Sequence, residues 1–306
     1  MAVQVSEGGM LSRFHLTERR REYIAFLFFI LPNMTLLAIW TFWPFFHSLY
    51  LSLTNWNLLK PEWDMVWLDN YARLLKSPEF WQITKNSLIF AFGTVSVKLA
   101  LSLALAVLLN QWLVARGLWR LIIFSPHITT TAAMALVWSA MYAPRFGIFA
   151  NLFSQLGLKF PSVLSDTKLV LPALMLVAIW KGLGFSTVVF LAALQSVERP
   201  LKEAAAIDGA NAWQSFWNVS FPAISPMTYF LIITGLIGAF KTFDVVAVMT
   251  GGGPSNASNL YVYQIYREAF GYQHFGFSSA LAVILFIVLM VFTYAQTRFK
   301  GRWVSY

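Results

Sequence analysis

Charged residues inside long apolar stretches are the positions of this sequence best placed to do chemistry. Lys98 and Lys181 each stand alone in such a stretch, and a third stretch carries Lys241 and Asp244. A charge is unfavourable in hydrocarbon, so such residues usually face a water-filled cavity or a partner. We predict that the path of a polar solute is bordered by Trp180, Lys181, Lys241 and Asp244. Two alternatives stay open, because a lysine can extend its amine to the membrane surface and Lys241 can pair with Asp244 across one helical turn.

Catalytic and metal-binding patterns are missing from the sequence. The histidines stand far apart, at His15, His47, His127 and His274. The chain has no cysteine, which excludes thiol catalysis and cysteine-based zinc or iron–sulfur sites. Residues 235–242 come close to a phosphate-binding loop, but Phe240 replaces the glycine before the lysine, and the segment lies in an apolar stretch. We predict that the chain is not an enzyme and binds no cofactor itself.

One segment, residues 197–222, has the composition of a loop that stands in water between two apolar stretches. Pro200 suits the first turn of a helix, the residues up to Ile207 are strong helix formers, and Gly209 suits a left-handed residue that ends it. A second short helix is expected over Asn211–Val219. We predict a helix–turn–helix whose small, exposed side chains let another protein approach closely. The alternative is an ordinary amphipathic connection.

The composition indicates that the elements carrying these residues lie in a membrane. Of 306 residues 58% are hydrophobic and 11% are charged, whereas about a quarter are charged in soluble domains. This excludes a soluble enzyme, a disordered protein and a disulfide scaffold. About 20 apolar residues span a bilayer as a helix, and we predict an all-α polytopic membrane protein with six transmembrane helices. Their predicted ranges are Tyr23–Leu53, Asn86–Ala115, Leu121–Pro144, Leu169–Gln195, Phe221–Gly253 and Ala269–Thr297.

The orientation follows from the basic residues that flank the first span. Arg19–Arg21 directly precede it, and basic residues favour the cytoplasmic side. With an even number of spans, both termini are predicted to be cytoplasmic, as tails of residues 1–22 and 298–306 around a single membrane domain of residues 23–297. The net charge of +9 is attributed to contact with anionic membrane lipid, and nucleic acid is not expected as a partner.

The cytoplasmic loop carries a resemblance to a known family. It contains Glu203-Ala204-Ala205, Gly209 after three further residues, and Val219-Ser220-Phe221-Pro222 after nine more. This pattern resembles the E-A-A-x3-G-x9-I-x-L-P signature of binding-protein-dependent ABC importer permeases, with two apolar exchanges at Val219 and Phe221. Residues 192–197, 243–254 and 260–270 are similar to the carbohydrate-uptake subclass, which includes permeases for maltose-type sugars and glycerol-3-phosphate.

The resemblance implies that the segment 197–222 is a coupling loop that docks into a cytoplasmic ATPase. The residues then assigned to docking are Glu203, Ala204, Ala205, Asp208, Gly209 and Ala210. Residues 23–297 would form a permease domain in the bacterial inner membrane, providing half of a translocation path. The implied partners are a homologous second permease subunit, two ATPase subunits that carry ATP and Mg²⁺, and an external or periplasmic solute-binding protein.

The substrate stays open at this stage, since a neutral sugar and glycerol-3-phosphate both fit the resemblance. Two other classes of protein are weighed against the ABC permease. A secondary transporter or channel would need no docking loop, and an intramembrane enzyme would need a catalytic constellation that the sequence lacks.

Overall fold

The computed structural model describes residues 18–59, 62–111 and 114–302. Over these ranges the regular secondary structure is helical, apart from one isolated antiparallel bridge between Thr54 and Met65. The predicted all-α class is therefore confirmed. Of the two predicted tails, residues 1–17 and 303–306 lie outside the described residues. The chain divides into two compact units, residues 1–50 and 51–306.

The described part of the first unit is a long apolar helix. Helix α1 (Glu18–Leu37) continues through a π-helical segment, Ala38–Phe42, into α2 (Trp43–Leu51). The wider π turn lies just before Pro44, which lacks an N–H group and crowds the preceding turn of a regular helix. Large apolar side chains of this helix are exposed, including Phe28, Phe29 and Trp40. Such a surface suits contact with lipid.

The second unit holds the remaining helices, several of which are short connectors. In chain order they are α3 (Asp69–Lys76), α4 (Pro78–Asn110), α5 (Arg116–Ile128), α6 (Thr131–Met141), α7 (Ile148–Gln155), α8 (Val170–Ser196), α9 (Arg199–Ile207), α10 (Ala212–Ser215), α11 (Phe221–Ala223), α12 (Ser225–Phe240), α13 (Asp244–Met249), α14 (Tyr261–Tyr266) and α15 (Phe275–Phe299). Two π-helical segments, Phe216–Ser220 and Arg267–Gly271, and two 3₁₀ turns, Val163–Ser165 and Lys300–Arg302, complete the unit.

Six membrane-spanning stretches are found when one bent pair is counted as a single span. Five helical stretches of the described residues are long and apolar enough to cross a bilayer, and α5 with α6 forms the sixth. The five are Arg20–Leu51, Pro78–Asn110, Val170–Ser196, Ser225–Met249 and Phe275–Phe299. The predicted number of spans is thereby confirmed.

The third span is not the continuous helix that the sequence predicted over Leu121–Pro144. Helices α5 and α6 meet at an angle of 100°, and Thr129 and Thr130 between them are extended. Pro126 cannot donate a backbone hydrogen bond to Ile122, whose carbonyl accepts from the Ser125 hydroxyl instead at 3.0 Å. The Thr129 hydroxyl donates to the Pro126 carbonyl at 2.7 Å. These local bonds replace helical ones and favour a break.

The fifth span is also interrupted. Helix α12 ends at Phe240, and α13 begins at Asp244. The sequence predicted one helix over Phe221–Gly253, so Lys241 and Asp244 do not share the regular helix on which their possible pairing depended.

The core of the second unit forms where α4, α8 and α12 meet. Phe90, Leu174, Phe190 and Leu231 are almost completely buried there. Helices α5 and α8 approach so closely that a Cβ atom at Gly184 would collide with the Ile123 carbonyl oxygen. Small residues permit such close approach between membrane helices.

The segment after α13 is attached to the start of α4 by a polar network. Arg267 forms an ion pair with Glu79, and it also donates to the Asn256 side chain at 2.9 Å. Asn256 in turn donates to Glu79 at 2.9 Å. Within the same segment, Glu268 accepts from Gln264 at 2.9 Å. The bonds of Arg267 and Asn256 to Glu79 hold this segment against the start of α4.

Candidate coupling loop and translocation cavity

The turn of the predicted docking loop is a Schellman motif centred on Gly209. Helix α9 ends at Ile207, and Gly209 adopts a φ of +82°. Its N–H group donates to the Ala206 carbonyl at 3.1 Å, and the N–H of Ala210 donates to the Ala205 carbonyl at 2.9 Å. These two bonds satisfy carbonyls that a helix end leaves free. The left-handed glycine predicted at this position is present.

The second helix of the loop begins with a capping box. The Asn211 side chain accepts from the Gln214 N–H at 2.9 Å, and the Gln214 side chain accepts from the Asn211 N–H at 2.9 Å. The helix differs from the one predicted over Asn211–Val219, because α10 changes into a π-helical segment at Phe216. The wider turn accommodates Pro222, which cannot complete a regular helical bond.

The predicted docking residues lie on the surface of this segment. Glu203, Ala204, Asp208 and Gly209 are exposed, and Ala205 and Ala210 are half-buried. A Cβ atom at Gly209 would meet no other atom of the described residues within 4 Å. The glycine is therefore needed for its backbone conformation and not for packing within this chain.

Two large apolar side chains beside the turn were not singled out from the sequence. Ile207 is 86% exposed and Trp213 is 70% exposed. Exposed apolar side chains that cluster mark surfaces which another molecule covers. Their exposure depends on the turn at Gly209, so no periodicity in the sequence indicates it.

A cavity of about 550 Å³ lies in the second unit where the two broken spans meet α4 and α8. Pockets of this size hold small organic ligands. Its ionisable lining residues are Lys98, His127, Lys181, Lys241 and Asp244. The structure thus brings together three of the four residues that were predicted to border a solute path, Lys181, Lys241 and Asp244.

Trp180, the fourth of these residues, does not line the cavity. Its ring contacts the ring of Trp138 edge to face, with centroids 5.4 Å apart. Adjacent residues on a helix point about 100° apart, so Trp180 and Lys181 cannot both face the same cavity squarely.

The amine of Lys181, which belongs to α8, reaches the break in the third span, and Lys241 lies in the break of the fifth. The Lys181 amine donates to the Thr129 carbonyl at 2.7 Å, directly after the end of α5. Lys241 follows the last residue of α12. The side chains of Lys241 and Asp244 form no ion pair in the described part of the chain. A cation near a helix C-terminus is favourable, which gives both lysines a structural role as well as a place in the lining.

Lys98 and Thr94 are lining residues that the sequence-based prediction of the path left out. They lie four residues apart on α4, so they share one face of the helix. In the sequence, the one feature that indicated a place for Lys98 in the lining was its charge inside an apolar stretch. Only the packing of α4 against α8 and α12 indicates that its amine reaches a cavity.

Comparison with known proteins decides the family. Residues 21–305 match the family described as binding-protein-dependent transport system inner membrane component. The chain belongs to this family. It is therefore a multi-pass inner-membrane permease of an ABC importer, a transport subunit whose ATPase is a separate chain.

Individual relatives align with the permease over nearly its whole length. It is 31% identical over 278 residues to the sn-glycerol-3-phosphate transport system permease protein UgpA of Pectobacterium atrosepticum, covering 90% of this chain and 94% of that protein. The corresponding protein of Agrobacterium fabrum is 30% identical with the same coverage. These alignments include both the coupling loop and the spans that line the cavity.

Solved structures share the fold of the permease. A chain of the bacterial alginate ABC transporter, crystallised with a periplasmic protein that holds an alginate pentasaccharide, superposes with a TM-score of 0.83 at 20% identity, covering 94% of this chain and 97% of that one. A second structure, of a bacterial ABC transporter involved in alginate import, gives a TM-score of 0.78 at 22% identity, covering 92% and 98%. The fold of an ABC permease predicted for the chain is confirmed.

Proposed function

We propose that the permease forms half of the translocation path of an importer that contains a homologous second permease subunit and two ATPase subunits. An external or periplasmic solute-binding protein delivers the solute. The solute binds transiently in the cavity between the broken spans, and the chain performs no chemistry on it. Rocking of the helices exposes the cavity alternately to the two sides of the membrane.

The exposed turn at Gly209 is the single observation that carries this proposal. The Schellman motif and the capping box hold two short helices at a fixed angle, and Glu203 and Asp208 project without an ion-pair partner among the described residues. A rigid exposed element of this kind can couple a movement of a bound partner to the spans on either side of the loop. Residues Glu203–Ala205 and Asp208–Ala210 are the proposed contacts with the ATPase.

The solute proposed first is a sugar or a sugar-like molecule, as for the carbohydrate-uptake subclass. A second candidate, glycerol-3-phosphate or another small polyol phosphate, is favoured by the lining of the cavity. Three lysines and one aspartate line the cavity. In addition, relatives of the chain are named as sn-glycerol-3-phosphate permeases. A neutral sugar gives no reason for an excess of positive charge in an apolar environment.

The orientation proposed for the chain places both termini and the coupling loop in the cytoplasm. Arg19–Arg21 support it through the preference of basic residues for the cytoplasmic side. ATP and Mg²⁺ are assigned to the ATPase subunits, and this chain binds neither. Contact with anionic lipid, rather than with nucleic acid, accounts for the net charge of +9.

The test is purification of the tagged chain after co-expression with the permease and ATPase genes of its own transport system. We expect the ATPase and the second permease to elute with it in stable ratio, and ATP hydrolysis to be stimulated by the loaded binding protein. A chain that purifies alone and transports solute without the ATPase would be a secondary transporter or a channel, and the proposal would be wrong.

A further inference from the structure

Lys98 reaches the cavity through a slot between two glycines on neighbouring helices. A Cβ atom at Gly182 of α8 would lie 2.8 Å from Cδ of Lys98, and one at Gly235 of α12 would lie 3.4 Å from its Nζ. The lysine side chain therefore lies against the bare backbone of both helices. Larger residues at either glycine would displace the amine from its position in the lining.

Among the described residues, the Lys98 amine has no partner at the end of this slot. It makes no hydrogen bond and no ion pair with any residue in the described part of the chain. The Lys181 amine differs, because the Thr129 carbonyl accepts a hydrogen bond from it. An ammonium group carries three donors, so Lys98 offers its donors to whatever occupies the cavity.

Thr94 supplies a second unsatisfied group one helical turn away. It is 4% exposed and lines the same cavity, and its hydroxyl has no hydrogen-bond partner among the described residues. A buried hydroxyl without a partner is unfavourable. The hydroxyl and the amine lie on one face of the helix, and both are groups that can donate a hydrogen bond to an oxygen of an anionic group.

The charge balance of the cavity points in the same direction. Asp244 is the acidic residue among its described lining residues, and Lys98, Lys181 and Lys241 are the basic ones. The lining thus carries an excess of positive charge, and His127 adds no negative charge. An anion entering the cavity meets a favourable potential, because the apolar walls weaken screening by water.

We propose that Thr94 and Lys98 form an anion-binding subsite that holds the phosphate or carboxylate group of the transported solute. The assignment rests on the proposed function and adds to it the charge class of the solute and the residues that select it. Phosphate and carboxylate present the same chemistry to an amine and a hydroxyl, so the experiment compares both.

The first measurement reports the electrostatic potential at the subsite. The chain contains no cysteine, and Gly238 lines the cavity with no atom within 4 Å of a Cβ placed there. Gly238→Cys therefore introduces a single thiol into this chain. Its labelling rates with an anionic sulfonatoethyl and a cationic trimethylammonioethyl methanethiosulfonate are compared in the complete complex. We expect the anionic-to-cationic rate ratio to fall roughly five- to tenfold when Lys98→Met is added.

The matched control is Lys76→Met, which removes an exposed lysine outside the cavity and should leave the ratio unchanged. Thr94→Val removes a hydroxyl but no charge, so it should also leave the ratio unchanged. An equal ratio with and without Lys98→Met would overturn the proposal.

The second measurement is protection of the Gly238→Cys thiol by three probes at equal concentration: sn-glycerol-3-phosphate, D-glucuronate and maltose. We expect protection by the phosphate, the carboxylate or both, which identifies the source of the charge. Lys98→Met and Thr94→Val should each weaken that protection at least threefold, and Thr94→Ser should retain it. Protection by maltose alone, or no protection by either anion, would contradict the subsite.

Gly182→Ala keeps the tests informative if Lys98→Met does not assemble. This change retains the lysine but places a methyl group 2.8 Å from its Cδ atom, so protection by the anion should weaken without loss of charge. Retention of the ATPase is recorded for every variant. A complex that retains the ATPase but shows no anion preference refutes the subsite alone, whereas loss of the ATPase from the unmodified chain refutes the proposed function.

Discussion

The Lys181 amine donates a 2.7 Å hydrogen bond to the carbonyl oxygen of Thr129, the residue at which α5 gives way to the bend before α6. The lysine belongs to α8, so the bond ties the middle of one span to the break in another. A carbonyl at a helix end has no partner within its own helix. Lys181 therefore holds the bend between α5 and α6 while its side chain lines the cavity.

Replacing Lys181 should destabilise the protein and also reduce the positive charge of the cavity lining. Loss of a hydrogen bond from a charged donor, together with its interaction with the helix end, is expected to lower the free energy of unfolding by about 1–2 kcal/mol in Lys181→Met. Thermal unfolding of the purified complex measures this change. Lys181→Arg should retain most of the stability, and Lys159→Met, at an exposed position, serves as the control. Transport of an anionic solute should fall further than that of a neutral one, because Lys181 is one of the three lysines in the lining of the cavity.

Gly209→Val is expected to detach the ATPase while leaving the membrane spans assembled. A β-branched residue at a φ of +82° would cost at least about 1 kcal/mol and open the turn. Gly157→Val is a matched control, because Gly157 also has a positive φ, of +73°, and no atom within 4 Å of a Cβ. The measurement is the amount of ATPase retained on the purified permease pair.

Loss of the ATPase from Gly209→Val but not from Gly157→Val would locate the effect in the coupling loop. Glu203→Lys, a charge reversal at an exposed site, should reproduce the loss without changing the backbone. Full retention in both loop variants would mean that residues 197–222 are only a connection.

The close approach of α5 and α8 should not tolerate a side chain. Gly184→Ala places a methyl group against the backbone of Ile123, and overpacking of this kind costs about 1–3 kcal/mol. Gly238→Ala adds the same methyl group where a Cβ meets nothing within 4 Å. We expect a lower unfolding temperature for the first variant alone. Equal temperatures would indicate that the helices separate without penalty.

The orientation can be checked with single cysteines and a thiol reagent that does not cross membranes. Gly117→Cys and Gly301→Cys both lie at positions where a Cβ has open space, and we expect neither to be labelled in intact cells. Lys159→Cys lies between the third and fourth spans, which the proposed orientation places outside the cytoplasm, so it should be labelled. All three should react after the cells are permeabilised. Labelling of Gly301→Cys from outside would reverse the proposed topology.

The sequence alone determined the class of protein, the number of spans and the position of the turn at Gly209. Each of these depends on local features of the sequence. Long apolar runs determine the class and the number of spans, and Pro200 and Gly209 mark the limits of the short helix before the turn. Backbone conformation follows directly from such residues, because proline fixes φ and glycine permits a positive φ. The Schellman motif found at Gly209 is the structural form of that signal.

The tertiary structure decided where the spans break and which charges share a cavity. The 100° bend of the third span could not be predicted from the sequence. Pro126 and the following threonines lie within an apolar run that is long enough for one continuous transmembrane helix. Lys98 lines the cavity and Trp180 does not, and both results depend on which faces of the helices pack together. Apolar residues cover all sides of a membrane helix, so periodicity does not distinguish the side facing a cavity from the side facing lipid, and only the packing of α4 against Gly182 and Gly235 places the Lys98 amine.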